Sequence, residues 1–285
     1  METKKKIKKV GLIIKPHAPG IEKILKEIIN FLEKEKVDYL LEKPAAEKLK
    51  TGPGYERAQL PELTEAVIIL GGDGTLLSVA PFAARQGIPV IGINLGRLGF
   101  LTEIPVSEAL PVLEAFFKNK DGFISRRTLL KINTQNGEDL CLNDVVLNKA
   151  ALARIIELLI IIDEKEVTRV KGDGLIISTP TGSTAYSLSA GGPIVHPQVE
   201  TIILTPICPH TLSFRPLLIP ASSSIKIKLL TPEEKVYLTI DGQRGRPMEK
   251  NEVLGIRKSE LDLILVTSPR RSYYELVKEK LGWAE

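Results

Sequence analysis

Ala66-Val67-Ile68-Ile69-Leu70-Gly71-Gly72-Asp73-Gly74-Thr75 is the stretch on which the reading of this chain turns. A run of apolar residues of this length suits a buried strand, and the glycines behind it force a tight turn into an apolar stretch, residues 76–86, read as a helix. Glycines without Cβ let backbone N–H groups approach an anion, and a helix N-terminus adds the positive end of its dipole. The acidic residue needs a separate reason. Asp73 would repel a phosphate directly, so it suits either a metal that bridges phosphates or acceptance of a proton from a nucleophilic hydroxyl. Both uses belong to phosphoryl transfer. The competing reading is an ordinary strand-to-helix turn in which Asp73 caps the helix.

Outward from this turn, short apolar runs alternate with helical periodicity. Residues 10–15 read as a strand and 21–36 as a helix, with Ile21, Ile24, Leu25, Ile28, Ile29 and Leu32 on one face; 37–41 read as a strand, and Pro/Gly-containing residues 44–61 as a connection. Residues 88–93 form another apolar run before a second glycine turn at 96–99. This βα repetition predicts a parallel sheet, whose ligands bind beyond the carboxyl ends of the strands, where both glycine turns fall. After a helix at about 107–117 the rhythm becomes that of strands: 127–134, the Asn136-Gly137 hairpin turn, 139–147, 155–162, 175–178, 202–205, 224–230, 236–240 and 261–267. The fold class expected is an α/β N-terminal domain, a parallel sheet with flanking helices, plus a mainly β C-terminal domain. The boundaries expected are 1–101 with a returning C-terminal segment 268–285, and 102–267. Within that segment Tyr274, Val277, Lys278 and Leu281 have helical spacing and should pack on the first domain.

Composition narrows the class of partner. The 285 residues carry 39 Lys plus Arg against 35 Asp plus Glu, a mild +4, and the clustered lysines Lys4-Lys5-Lys6 and Lys8-Lys9 read as a solvated N-terminus. Aromatic residues make up 5%, without a basic cluster among them, so no nucleic-acid stacking platform is expected and small anionic molecules are the better partners. Cys141 and Cys208 lie far apart outside any metal-ligand spacing, which fits a reduced compartment. Residues 10–14 are too few for a signal-peptide core and no run approaches a membrane span, so a soluble, cytoplasmic protein without membrane partners is expected. Neither a Walker-type Gly-Lys-Ser/Thr nor a Gly-x-Ser-x-Gly occurs.

A second constellation runs over residues 173–193, dense in hydroxyls and glycines directly after a strand. Its Ser and Thr hydroxyls suit sugar and phosphate oxygens, and Tyr186 offers a flat face and a phenolic O–H; the alternative is a loop that satisfies its own hydrogen bonds. Asn143-Asp144, read as the end of a strand, can present an amide and a carboxylate to two ribose hydroxyls, or can be a simple turn. His196 and His210, beside prolines, are assigned structural hydrogen bonding, and His17 the surface.

Gly71-Gly72-Asp73-Gly74-Thr75, residues 94–101, Asn143-Asp144-Val145-Val146-Leu147, residues 173–193, residues 205–210 and Asp241-Gly242-Gln243 together resemble, in order over nearly the whole chain, the motifs of bacterial NAD kinases. The glycine turn alone is shared with lipid kinases and, more distantly, with phosphofructokinases; the loop Thr179-Pro180-Thr181-Gly182-Ser183-Thr184-Ala185-Tyr186 is far more specific. The resemblance implies transfer of a phosphoryl group from ATP or another phosphate donor to the 2′-hydroxyl of the adenosine ribose of NAD, giving NADP. It implies that the first domain binds the donor and the second NAD, with Mg²⁺ or another divalent metal accompanying the donor phosphates and no metal held by protein side chains. Asp73 becomes the proton acceptor, with Gly72 and Gly74 in its turn; Asn143 and Asp144 hold the ribose. Arg154, Lys171, Asp173, Thr184, Ala185, Tyr186, Ser187, Leu188, Ser189 and Gln243 contact NAD. Lys171 stands where the family usually has Arg or another basic residue, and Pro81 where many members have Arg, leaving Arg85 one helical turn later. Self-association as a dimer or tetramer is implied, with Lys171 and Asp173, beyond the charged segment 163–166, reaching a neighbour's site. Two rivals are a lipid kinase, which would need an apolar acceptor channel, and a non-catalytic NAD sensor, which would not need Asp73.

Overall fold

The computed structural model describes residues 7–118, 123–135, 137–150, 154–211, 213–231, 235–248 and 251–283; Lys4-Lys5-Lys6 and Asn136 lie outside them. The chain divides into two compact units, Met1–Arg126 with Leu263–Glu285, and Arg127–Asp262.

The first unit runs β1 (Lys9–Ile14), α1 (Ile21–Lys34), β2 (Asp38–Leu41), α2 (Lys43–Leu49), α3 (Leu60–Leu63), β3 (Ala66–Gly71), α4 (Asp73–Leu77), α5 (Ala80–Gln86), β4 (Pro89–Asn94), β5 (Ile104–Pro105) and α6 (Val106–Lys118). β1 pairs with β2 and β3, and β3 with β4, all parallel. All six residues of β3 are buried, the near-continuous apolar run of a strand covered on both faces. α1 buries Ile21, Leu25, Ile28, Ile29 and Leu32 as one stripe. Ala109, Val112, Leu113 and Phe116 of α6 enter the same core, and this unit runs on to Arg126. Gly71 and Asn94 are register partners, so the two glycine-rich turns leave neighbouring strands side by side.

The helix expected over 76–86 is two helices. Pro81 has no N–H to continue the ladder from α4; placed in the first turn of α5, where N–H groups lack helical partners anyway, it costs nothing.

The second unit comprises β6 (Ile124–Thr134), β7 (Gly137–Cys141), β8 (Asp144–Lys149), β9 (Ile156–Ile162), β10 (Lys165–Gly172), β11 (Gly174–Ser178), a 3₁₀ turn (Thr181–Thr184), α7 (Tyr186–Ser189), β12 (Thr201–Ile207), β13 (Leu217–Pro220), β14 (Ile225–Leu229), β15 (Val236–Ile240), β16 (Arg244–Pro247) and β17 (Val253–Val266). One sheet has the order β13-β12-β11-β8-β15-β16, and β10-β9-β14-β17 is the order in the other; all these pairs are antiparallel. Val145, Leu147, Leu175, Ile177 and Leu238 from the first share one core with Ile156, Leu158, Ile160, Ile227 and Leu254 from the second. The last residues of β17, Ile264–Val266, already belong to the first unit and pair parallel with its β4. The chain ends in α8 (Tyr273–Leu281), started by a capping box in which Ser272 Oγ accepts from Glu275 N and Glu275 Oε2 accepts from Ser272 N; Leu276 and Val277 are buried.

The single strand expected over 139–147 is two, β7 and β8, separated by a bend at Leu142 and Asn143, so Asp144 opens a strand and does not end one. β10, β13 and β16 carry no alternating apolar pattern because they are edge strands, and β10 and β16 present charge, as exposed edges do.

Candidate active site

Two clusters of the expected residues form, one in each unit. In the first, the Asp73 carboxylate turns away from its own helix: Oδ1 accepts from Thr102 N at 2.8 Å, Thr102 Oγ1 at 2.8 Å and Leu101 N at 3.2 Å, and Oδ2 from Phe100 N at 2.9 Å. It is therefore not the helix cap of the competing reading. Asn94 Nδ2 donates to Thr102 Oγ1 at 2.9 Å, so the second glycine turn and the strand before it hold the carboxylate of the first. Gly99 makes this approach possible: a Cβ there would lie 2.0 Å from Asp73 Oδ1. Charge-assisted bonds from fixed backbone N–H groups orient the carboxylate and leave Oδ2 with one hydrogen-bond donor, Phe100 N, among the described residues. Gly72 is half-buried and Gly74 exposed beside it.

In the second unit the bend before β8 is gripped from two sides. The Asp241 carboxylate accepts from Leu142 N at 2.9 Å, Asn143 N at 2.7 Å and Asp144 N at 3.2 Å, and Asp241 N donates back to Asp144 O at 2.9 Å. On the other side Thr179 Oγ1 donates to Leu142 O at 2.6 Å and Thr179 N to Asn143 O at 2.9 Å; a Cβ on Gly182 would lie 2.1 Å from Asn143 O. Asp144 and Asp241 are both buried. Burial, and then the Asp241 charge, push the Asp144 carboxyl up to about 7. Burial raises Asp241 too, opposed by the three amide N–H groups it accepts from. A buried carboxyl that ionises near neutrality suits a partner supplying hydroxyl donors. Asp241 is a functional position with no role in the sequence analysis; its local signal is Asp-Gly directly after a strand, and it is held at φ 51°.

The hydroxyl-rich loop divides. Ser183 Oγ donates to Pro180 O at 2.6 Å, Thr184 Oγ1 to Thr181 O at 3.2 Å, and Ser187 Oγ lies 2.9 Å from Thr205 Oγ1. Ser183 and Ser187 are fully buried, so these hydroxyls build the loop from inside, whereas Tyr186 and Ser189 are exposed and Ala185 and Leu188 half-buried. Of the other expected contacts, Lys171 Nζ lies 3.6 Å from Glu157 on the β9–β10 pair, and Asp173 Oδ1 3.2 Å from Lys149 Nζ. Gln243 is exposed two residues beyond Asp241, and Arg154 is exposed just before β9. Arg85 is exposed on α5. His196 Nδ1 accepts from Gln198 N at 3.3 Å, His210 N donates to Lys171 O at 2.9 Å, and His17 is exposed. Cys141 is buried, with its thiol pushed up chiefly by burial; Cys208 is exposed.

Residues 10–121 match the model of the ATP-NAD kinase N-terminal domain and residues 142–268 that of the ATP-NAD kinase C-terminal domain. The NAD kinase of Geobacter metallireducens is 42% identical over 98% of this chain and 100% of its own length, and that of Geobacter sulfurreducens 43% identical over the same shares. Among solved structures, a yeast NADH kinase complexed with NADH superposes with a TM-score of 0.85 at 28% identity, covering 98% of this chain and 89% of that one. An NAD kinase from Archaeoglobus fulgidus in complex with ATP, 24% identical with a TM-score of 0.79 over 95% and 98% of the two chains, has the same fold. With family models and full-length relatives agreeing with the turn at Asp73 and the bend at Asp144, the chain belongs to the NAD kinase family.

Proposed function

We infer that the enzyme transfers the terminal phosphoryl group of ATP to the 2′-hydroxyl of the adenosine ribose of NAD, and that Asp73 accepts the proton. The ribose oxygen forms the new bond to phosphorus, the bond to the departing ADP breaks, and the hydroxyl proton passes to the carboxylate. What supports this role is one observation: Asp73 is aimed by four hydrogen bonds from residues 100–102, and none of them comes from its own helix. A group so fixed needs no reorganisation as the proton moves. A sensor of NAD would have no use for it.

Asn143 and Asp144 are assigned to the ribose, with Tyr186 and Ser189 on the exposed side of their loop and Arg154, Lys171, Asp173, Thr184, Ala185, Leu188 and Gln243 as further NAD contacts. Ser187 acts through packing, because its hydroxyl is spent on Thr205. The donor is assigned to the first unit. No group of three or more His, Cys, Asp or Glu side chains converges to hold a metal among the described residues. A divalent cation is assigned to the donor phosphates, where it would supply charge neutralisation. Self-association is assigned to the β10 edge, which carries Lys171.

Asp73→Asn tests the base. Its amide oxygen can replace Oδ1 and keep the Leu101 and Thr102 contacts, but the group cannot take the proton. NADP formation, followed with an NADP-specific dehydrogenase, should fall by about 10² to 10⁴ in kcat while calorimetric NAD affinity holds; turnover near wild type would refute the assignment.

A further inference from the structure

The second glycine turn has another side. Residues Asn94, Gly96, Arg97 and Leu98 line a cavity of about 500 Å³ together with Pro105 and with Arg271, Glu279 and Lys280 near the C-terminal end of the chain. That volume lies within the range of small-molecule sites, about 300–1,000 Å³. Its charges do not cancel. Arg271 is committed: Nη1 donates to Glu103 O at 3.1 Å, and the guanidinium lies 3.6 Å from both Glu108 and Glu279. Glu279 is thereby answered. Lys280 Nζ sits 5.9 Å from the centre of the Phe100 ring, and neither it nor Arg97 has an acidic partner among the described residues. Two unanswered cations, an Arg fork and a Lys point charge, thus face one polar hollow.

We propose that this cavity binds an anion made of linked phosphoryl groups, held by Arg97 and Lys280. A planar fork pairs with two phosphate oxygens and an ammonium with a third, while the lining gives an apolar ligand little to bury against. The site is joined to the reaction centre by a short chain. Asn94, in its wall, donates to Thr102 Oγ1, which donates to Asp73 Oδ1, and Phe100, under Lys280, donates its N–H to Asp73 Oδ2. Two sources present this chemistry: the triphosphate of the donor, or a free phosphate chain acting as an effector. The binding claim stands apart from the role of Asp73, and only the donor source rests on that reading.

The probe is inorganic tripolyphosphate, titrated calorimetrically into the full-length protein at low salt. Binding should occur, weaken as salt rises, and weaken by about tenfold or more in each of Arg97→Ala and Lys280→Gln, as expected when one charge-assisted contact is lost. Lys278→Ala, on the same helix but outside the lining, should bind as wild type does. No binding, or binding unchanged in both Arg97→Ala and Lys280→Gln, overturns the proposal; Lys280 is exposed on α8, so its variant decides the matter even if the other fails to fold. If ATP displaces tripolyphosphate and Lys280→Gln raises KM for ATP with KM for NAD unchanged, the source is the donor. If tripolyphosphate stays bound under saturating ATP and changes kcat, the source is a separate effector.

Discussion

Asp144→Asn removes the carboxyl that burial and the neighbouring Asp241 push up to about 7. In the unfolded chain an aspartate titrates at about 3.9. Between those values the folded protein keeps a proton that the unfolded chain has already released, so unfolding stability must fall as pH rises. The contribution is whole below about pH 4, declines by ~1.4 kcal/mol per unit, and is gone above about pH 7, a total of roughly 4 kcal/mol. Burial is the larger cause of the shift and the Asp241 charge the smaller, so the proton is carried by Asp144. Asparagine resembles the protonated carboxyl in shape and cannot ionise. Urea unfolding of both proteins without NAD, at steps from pH 5 to pH 8, isolates Asp144 together with its interaction with Asp241, because carboxylates remote from the pair cancel in the difference. Wild-type stability minus that of the variant should drop by about 3 kcal/mol across this range and flatten near pH 8. A difference that stays level, or rises with pH, would refute the buried-pair account of Asp144.

Gly99→Ala places a methyl group 2.0 Å from Asp73 Oδ1 and must displace the carboxylate; kcat should fall by about 10²-fold, the usual cost of ~1 Å misplacement, and wild-type turnover in a steady-state assay would contradict the geometry. Asp144→Ala should raise KM for NAD more than it lowers kcat, since the carboxylate is assigned to ribose hydroxyls in ground and transition state alike; a collapse of kcat with NAD affinity intact by calorimetry would make Asp144 the catalytic group. Co-refolding inactive Asp73→Asn with inactive Asp173→Ala should restore about one quarter of wild-type activity if Asp173 completes a partner's site in a random dimer. No recovery in proven hybrids would assign Asp173 to its own subunit.

Where a segment's own pattern decided its structure, the sequence was readable. The 3.6-residue stripe of α1 and the all-apolar β3 each needed nothing beyond themselves. The parallel order of the first unit followed from strands alternating with helices. What escaped notice had no apolar signature. β10 exposes most of its side chains and β16 is Arg-Gly-Arg-Pro, for both lie at sheet edges. β17 begins at Val253, well before the apolar 261–267, because Arg257-Lys258-Ser259-Glu260 interrupts its apolar pattern while the strand itself runs on to Val266.

The site divides along the same line, and the division has a physical cause. Asp73 and Asp144 were visible because a carboxylate in a glycine turn, or beside an amide, is chemically conspicuous within a few residues. Their supports were not. Asp73 is aimed by N–H groups 27 to 29 residues downstream, and the bend before Asp144 is fixed by a carboxylate 97 to 99 residues away. Backbone donors carry no side-chain label, so Phe100, Leu101 and Leu142 serve the site through an N–H that every residue but proline possesses. The only local trace of such a contact is the residue that must be small to admit it. Gly99 against Asp73 and Gly182 against Asn143 leave no room for a Cβ, and each stands beside a carboxylate or amide it never binds. A glycine in a polar turn is therefore as informative about where a reacting group will be held as the reacting group itself, because close approach forbids a Cβ whatever the side chains around it.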